Sequence, residues 1–65
     1  MDTYHIKELN NEFKSYKHFT TNNVVSFYHK IDKNLKRTII LNRISVLIEK
    51  GVIQRIGKGL YCLGQ

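Results

Sequence analysis

The chain has 65 residues, enough for one small domain. A domain of this size buries only about 60% of the surface of its unfolded chain, which argues against an enzyme with a deep substrate pocket. Hydrophobic residues make up 42% of the sequence and charged residues 25%, a balance typical of globular rather than disordered proteins.

The net charge of +6 lies entirely in the second half of the chain. The acidic and basic residues of positions 1–29 cancel. From position 30 onward only Asp32 and Glu49 oppose the basic residues Lys30, Lys33, Lys36, Arg37, Arg43, Lys50, Arg55 and Lys58. This asymmetry favours a polyanionic partner, which means nucleic acid or an acidic membrane surface.

Targeting and metal-binding signals are missing from the sequence. The single Cys62 cannot form an internal disulfide, and no signal peptide or membrane-spanning run is visible, so we expect a cytoplasmic protein with no membrane partner. The histidines have no metal-ligand spacing and the acidic residues form no general acid/base pair. We therefore expect no metal, no cofactor and no enzymatic activity.

The first half of the chain predicts two helices. Ile6, Leu9, Phe13 and Tyr16 recur at helical spacing and predict a first helix over 3–17, followed by a very short strand at 19–20. Thr21 is a candidate N-cap for a second helix over 22–30, with an apolar stripe formed by Val24, Phe27, Tyr28 and Ile31.

A third helix and a β-hairpin are predicted for the second half. Asn34 is a candidate N-cap for a helix over 35–50, which Gly51 ends and whose buried stripe is Ile40, Ile44, Leu47 and Ile48. Two β-prone segments, 52–56 and 60–63, then flank the turn Gly57-Lys58-Gly59. This order predicts an α+β fold, mainly α with a small β-hairpin: a three-helix winged helix-turn-helix in a single domain over 1–65.

The register of the hairpin has two alternatives. A two-residue loop pairs Ile56 with Tyr61 and sends Arg55 outward, whereas a three-residue loop pairs Arg55 with Tyr61. We favour the first register because it groups the apolar residues Val52, Ile56, Tyr61 and Leu63 on one face.

A family resemblance rests on the segment LIEKGVIQRIGKGLY, from Leu47 to Tyr61. It resembles the N-terminal winged-helix domain of AbiEi-type antitoxin regulators, in which a Gly-basic-Gly turn follows two aliphatic residues and a basic one. The resemblance implies a bacterial transcriptional regulator, with autoregulation of a toxin–antitoxin operon and a homodimer or a cognate toxin as further partners. A larger domain usually follows the winged helix in that family, so this chain is either the N-terminal part of a longer regulator or a protein without that domain.

Double-stranded DNA is the partner that these features favour. Asn, Ser, Thr and Arg side chains can read base edges, and Lys and Arg can hold phosphates. The predicted DNA-binding residues of the third helix are Lys36, Thr38, Asn42, Arg43 and Ser45. Arg55 and Lys58 of the wing are predicted to contact the phosphate backbone. A solvated polar face is the alternative interpretation of the same helix.

Two outward-facing apolar residues leave a different function open. Ile39 and Val46 either contact thymine methyl groups, pack against a further domain or form a dimer surface, unless a small error in helix phase buries one of them. A winged-helix module for protein–protein interaction is therefore the alternative function. Binding of RNA or single strands is disfavoured because the aromatic residues fall on the predicted core stripes.

Overall fold

A computed structural model describes residues 4–64 of the chain. The elements are α1 (Ile6–Phe13), β1 (Phe19–Thr20), α2 (Thr21–Ile31), α3 (Arg37–Glu49), β2 (Ile53–Gly57) and β3 (Leu60–Leu63). The strands form one antiparallel sheet in the order β1–β3–β2. The α+β prediction is confirmed, because three helices and this sheet make a winged-helix arrangement with the β2–β3 hairpin as the wing.

The core joins all six elements through aliphatic and aromatic side chains. The Phe13 ring of α1 stacks on Phe19 of β1 with 4.2 Å between ring centres, and it lies 6.0 Å from the Phe27 ring of α2. From α3, the core receives the fully or almost fully buried side chains of Ile40, Ile44 and Leu47, as the helical spacing predicted. Ile48, which was predicted in the same stripe, is only partly buried against this core. This packing determines which side of α3 remains free to meet a partner.

The first helix is shorter than the predicted span 3–17, of which position 3 lies outside the described residues. At its start, His5 has a left-handed backbone (φ 52°) that cannot belong to the helix. At its end, the Tyr16 amide donates to the Phe13 carbonyl at 3.0 Å in a tighter turn, and Tyr16 is 45% exposed rather than buried in the stripe. The apolar periodicity therefore continued beyond the helix itself.

Thr20, rather than the predicted Thr21, is the N-cap of α2. Its Oγ1 accepts from the Asn23 amide at 3.2 Å, while the Asn23 Oδ1 accepts from the Thr20 amide at 2.8 Å, which completes a capping box. Thr21 bonds to the wing instead, since its amide donates to the Gly59 carbonyl at 3.2 Å. At the other end of α2, Ile31 is 43% exposed and not part of the core as predicted.

The turn between α2 and α3 uses the residues that were expected to begin α3. The Asn34 amide donates to Asp32 Oδ1 at 3.0 Å, and the His29 Nε2–H donates to the Leu35 carbonyl at 2.9 Å. Asn34 is consequently not a cap, and α3 begins after Lys36, whose side chain makes no capping bond. At the C-terminal end of α3, Gly51 has φ 77°, which confirms the left-handed position expected there.

The wing has a β-bulge that the favoured register did not include. Arg55 pairs with Tyr61 and Gly57 pairs with Leu60, so that the extra residue Ile56 is pushed out of the ladder. Ile56 is 49% exposed, and Ile53 takes the core position at 1% exposure. The predicted pairing of Ile56 with Tyr61 is therefore wrong, although the loop still has two residues between its last pair.

Candidate nucleic-acid interface

The polar face of α3 points away from the core, as predicted. Thr38, Asn42 and Ser45 are all exposed and lie on the side of the helix opposite its buried stripe. The Ser45 hydroxyl donates a long bond of 3.5 Å to the Leu41 carbonyl within the helix. The side chains of Thr38 and Asn42 form no hydrogen bond within residues 4–64, so the hydroxyl of Thr38 and the amide group of Asn42 are free to meet a ligand.

Arg43 is held at the side of this face. It is half-buried, and its guanidinium carbon lies 5.2 Å from the centre of the Tyr28 ring, in a cation–π arrangement. Tyr28 is fully buried, and its hydroxyl donates to the Tyr4 carbonyl at 2.7 Å. The buried Tyr28 thus holds the guanidinium of Arg43 near the core, while half-burial still leaves part of the residue at the surface.

Exposed cations surround the start of α3. Lys33 and Lys36 lie in the turn and Arg37 is the first residue of the helix, and all of them are exposed. Within residues 4–64 none forms an ion pair, and the first turn of α3 has no acidic residue. The positive end of the helix dipole adds to this charge. An anion is thus favoured at this end of the helix.

By helical angle Arg37 falls on the inward side of α3, which predicts no contact with bases, although its position at the helix end permits contact with a phosphate. The structure leaves Arg37 exposed in the first turn of α3. The run of Lys33, Lys36 and Arg37 was the signal that could have identified a single charged surface. By contrast, Lys30 pairs with Glu12 of α1 at 3.0 Å and does not belong to it.

The wing carries both of its predicted cations on the surface. Lys58 is exposed at the tip, beside Gly59, whose φ of 68° requires a left-handed residue. Arg55 is exposed at the edge strand, and its Nε donates to the Gly57 carbonyl at 3.4 Å. Arg55 pairs with Tyr61 across the β2–β3 ladder but is exposed, unlike Ile53 two residues earlier in the same strand.

A shallow groove lies beside the polar face of α3, on the flank of the helix that carries Arg43. The α3 groove, as we name it, has a volume of about 240 Å³ and is lined by Tyr4, Ile39, Asn42, Arg43 and Val46. Ile39 is 41% exposed and Val46 is half-buried. Neither side chain is therefore part of the core, as an error in the predicted helix phase would have required for one of them. A larger solvent-open depression of about 730 Å³ follows the outer face of α1, but its Lys7, Glu8 and Lys14 nearly balance in charge and offer no catalytic pair.

Residues 4–64 contain no group of three potential metal ligands. None of the helices in that range is long and apolar enough to cross a membrane. Cys62 is a half-buried free thiol.

No family model, curated protein or solved structure matches this chain. The likeness of Leu47–Tyr61 to AbiEi-type regulators therefore remains a prediction from those residues.

Proposed function

We propose that this chain is a sequence-specific DNA-binding domain of a bacterial transcriptional regulator. The observation that carries the proposal is the group of exposed cations without an acidic partner in residues 4–64, at the start of α3 and at the wing tip. A polyanion is the ligand that such a group attracts most strongly. The two depressions described above, along α1 and along α3, are both open to solvent.

In the proposed complex, α3 enters the major groove of duplex DNA, which is wide enough to admit one α-helix. Thr38, Asn42 and Ser45 then face the base edges. Lys36 and Arg37 contact phosphates at the start of the helix. Arg55 and Lys58 of the wing contact the backbone outside the groove, which positions the protein without reading sequence.

Binding to a mixed-sequence duplex over a series of salt concentrations tests this function. If four to six phosphates are contacted, log K plotted against log[salt] should have a slope of about −4 to −5, from roughly −0.9 per contact. Fluorescence anisotropy measures the affinity, with a single strand of equal length as the control. Absence of binding at low salt and tens of micromolar protein, with the fold confirmed by circular dichroism, would overturn the proposal.

The resemblance of the segment after α3 extends this proposal to an antitoxin-type autoregulator. Such a protein binds the promoter of its own operon. We expect tighter binding to the duplex upstream of the chain's own gene than to a shuffled duplex of equal composition. Equal affinities would remove autoregulation from the proposal and leave DNA binding in place.

Exposed apolar side chains favour a second candidate, association with another protein. Ile39 is 41% exposed, Leu41 is 39% exposed and Ile56 is 49% exposed, all in elements that could face a partner. Sedimentation equilibrium separates the two functions for self-association. A dimer that persists at micromolar protein and is lost in Ile39→Ser or Leu41→Ser would place α3 in a protein interface instead of a DNA interface.

A further inference from the structure

The α3 groove combines an apolar wall with an amide group. Ile39 and Val46 supply aliphatic surface, while Asn42 stands on the polar side and Tyr4 closes the opposite side. We infer that this groove reads the C5-methyl group of a thymine in the major groove of DNA, an inference that rests on the DNA-binding function proposed above. Thymine is the base that presents an apolar group there.

The size of the groove fits a methyl group better than a small-molecule effector. Its volume of about 240 Å³ is open to solvent. Pockets for small molecules usually enclose roughly 300–1,000 Å³ and bury most of the ligand. A methyl group that projects from the floor of the major groove needs only a shallow apolar surface, which Ile39 provides.

The charges around the groove favour DNA over a second copy of the chain. Arg43 lines the groove, and the Lys50 Nζ lies 5.9 Å from the centre of the Tyr4 ring. Glu49 is the single acidic residue of α3, ten residues or about 15 Å along the helix from Ile39. Two copies that met through this groove would bring like charges together, whereas a duplex would neutralise them.

Asn42 adds a second contact that makes recognition of the base pair more specific. It follows Ile39 by three residues, so the two side chains are neighbours on one side of α3, about 4.5 Å apart along the helix axis. An Asn amide can bond an adenine through N6 and N7. The pair of side chains therefore selects A·T pairs at one position or at two adjacent positions.

Leu41 provides a matched control within the same helix. It is 39% exposed, almost the same as Ile39, but it lies on the other flank of α3 and does not line the groove. Removal of either side chain deletes a similar exposed apolar surface. Only Ile39 should interact with the thymine methyl group.

The experiment uses the intact chain and a duplex selected from a randomised library by the chain itself. Each thymidine of the selected duplex is replaced in turn by deoxyuridine, which removes only the methyl group. At one position we expect an affinity loss of about fourfold, the factor that corresponds to about 0.8 kcal/mol for burial of one methyl group.

Ile39→Ala should bind the thymine duplex about fourfold more weakly and show no further loss with deoxyuridine. Ile39→Val should retain part of the effect, and Leu41→Ala should remain fully sensitive.

Three results would overturn the inference while leaving DNA binding intact. These are a wild-type chain that is insensitive to deoxyuridine at every position, a sensitivity that persists in Ile39→Ala, and a library selection that enriches no sequence although random duplex is bound. A folded wild-type chain that binds no duplex at all would instead overturn the proposed function together with the inference. Thermal melting by circular dichroism confirms that each variant is folded.

Discussion

Arg43 contributes to both the core and the surface. Its guanidinium covers the ring of the buried Tyr28, whose hydroxyl is bonded to the Tyr4 carbonyl. Long basic side chains commonly pack their stems on apolar surface and leave the charged group near water. A substitution here should therefore change stability as well as charge, unlike substitution of the fully surface-exposed Lys36.

We expect Arg43→Ala to lower both the free energy of unfolding and the affinity for duplex DNA. Loss of the cation–π contact should cost about 0.5–1 kcal/mol in urea-induced unfolding. Lys36→Ala should reduce duplex affinity to a comparable extent and leave unfolding unchanged. Equal unfolding midpoints for the two variants would show that Arg43 does not stabilise the core through Tyr28.

Lys58 should act through charge alone. It is exposed at the wing tip and has no ion pair within residues 4–64. Lys58→Ala should weaken binding to all duplexes about equally and make the salt slope shallower by about one. Anisotropy titrations over a salt series measure both effects.

Lys14→Ala is the charge-matched control for Lys58→Ala, because Lys14 is exposed after α1 in the electrically neutral half of the chain. It should leave the slope unaltered. If both variants shift the slope equally, the effect is one of net charge, and the wing has no place in the DNA interface.

At the scale of elements, the helices were predictable because their apolar residues recur with the helical period, and their ends were not. The misplaced starts of α2 and α3 each depend on a hydrogen bond that helical periodicity does not reveal. Thr20 caps α2 because its pairing with Leu60 of the wing holds it in an extended conformation. The Thr21 amide donates to the Gly59 carbonyl of the wing. The Asn34 amide donates to Asp32 Oδ1 in the turn before α3, so Asn34 does not cap that helix. The contacts of Thr20 and Thr21 with the wing join residues far apart in the sequence, which no local pattern encodes.

The capping box gives a prediction for α2. Thr20→Ala removes the acceptor for the Asn23 amide and should destabilise the chain by about 1 kcal/mol, which is a decrease of about 4–8 °C in melting temperature for a domain of this size. Thr20→Ser should restore most of the loss. Thr21→Ala should have a smaller effect, since the Thr21 side chain makes only a long 3.4 Å bond to the Tyr61 hydroxyl. A larger loss for Thr21→Ala would reverse the assignment of the cap.

The candidate site was predictable to a similar extent. Helical angles placed Thr38, Asn42 and Ser45 on the surface, because the buried stripe of a single helix determines its outer face. The α3 groove was not predictable, since Tyr4 comes from a distant part of the sequence. The bulge at Ile56 was also missed, because hydrophobic alternation cannot reveal an extra residue in one strand.

At the scale of the whole molecule, the described chain measures 28 × 23 × 20 Å and has a radius of gyration of 10.7 Å. That radius agrees with the roughly 11 Å expected for a compact chain of this length. The longest dimension corresponds to about 8 base pairs at 3.4 Å per pair. In the proposed complex, one copy would therefore cover less than one turn of DNA.

This size predicts the stoichiometry of non-specific binding. A 10-bp duplex should bind one copy, and a 20-bp duplex should bind two copies with similar affinity for each. Titration at a DNA concentration well above Kd, followed by analytical ultracentrifugation, measures the ratio. Two copies on the 10-bp duplex would indicate that the chain binds as a preassembled dimer.

The position of Tyr4 beside α3 has a practical consequence for fluorescence measurements. A dye on the N-terminal amine is tethered three residues, or at most about 10 Å of chain, from a side chain that lines the α3 groove. The dye would therefore compete with DNA for the surface under study. Gly64 does not line this groove, and its amide donates to the Val52 carbonyl at 2.8 Å, just beyond the last turn of α3. A dye attached after Gly64 should report rotation of the complex without obstructing it.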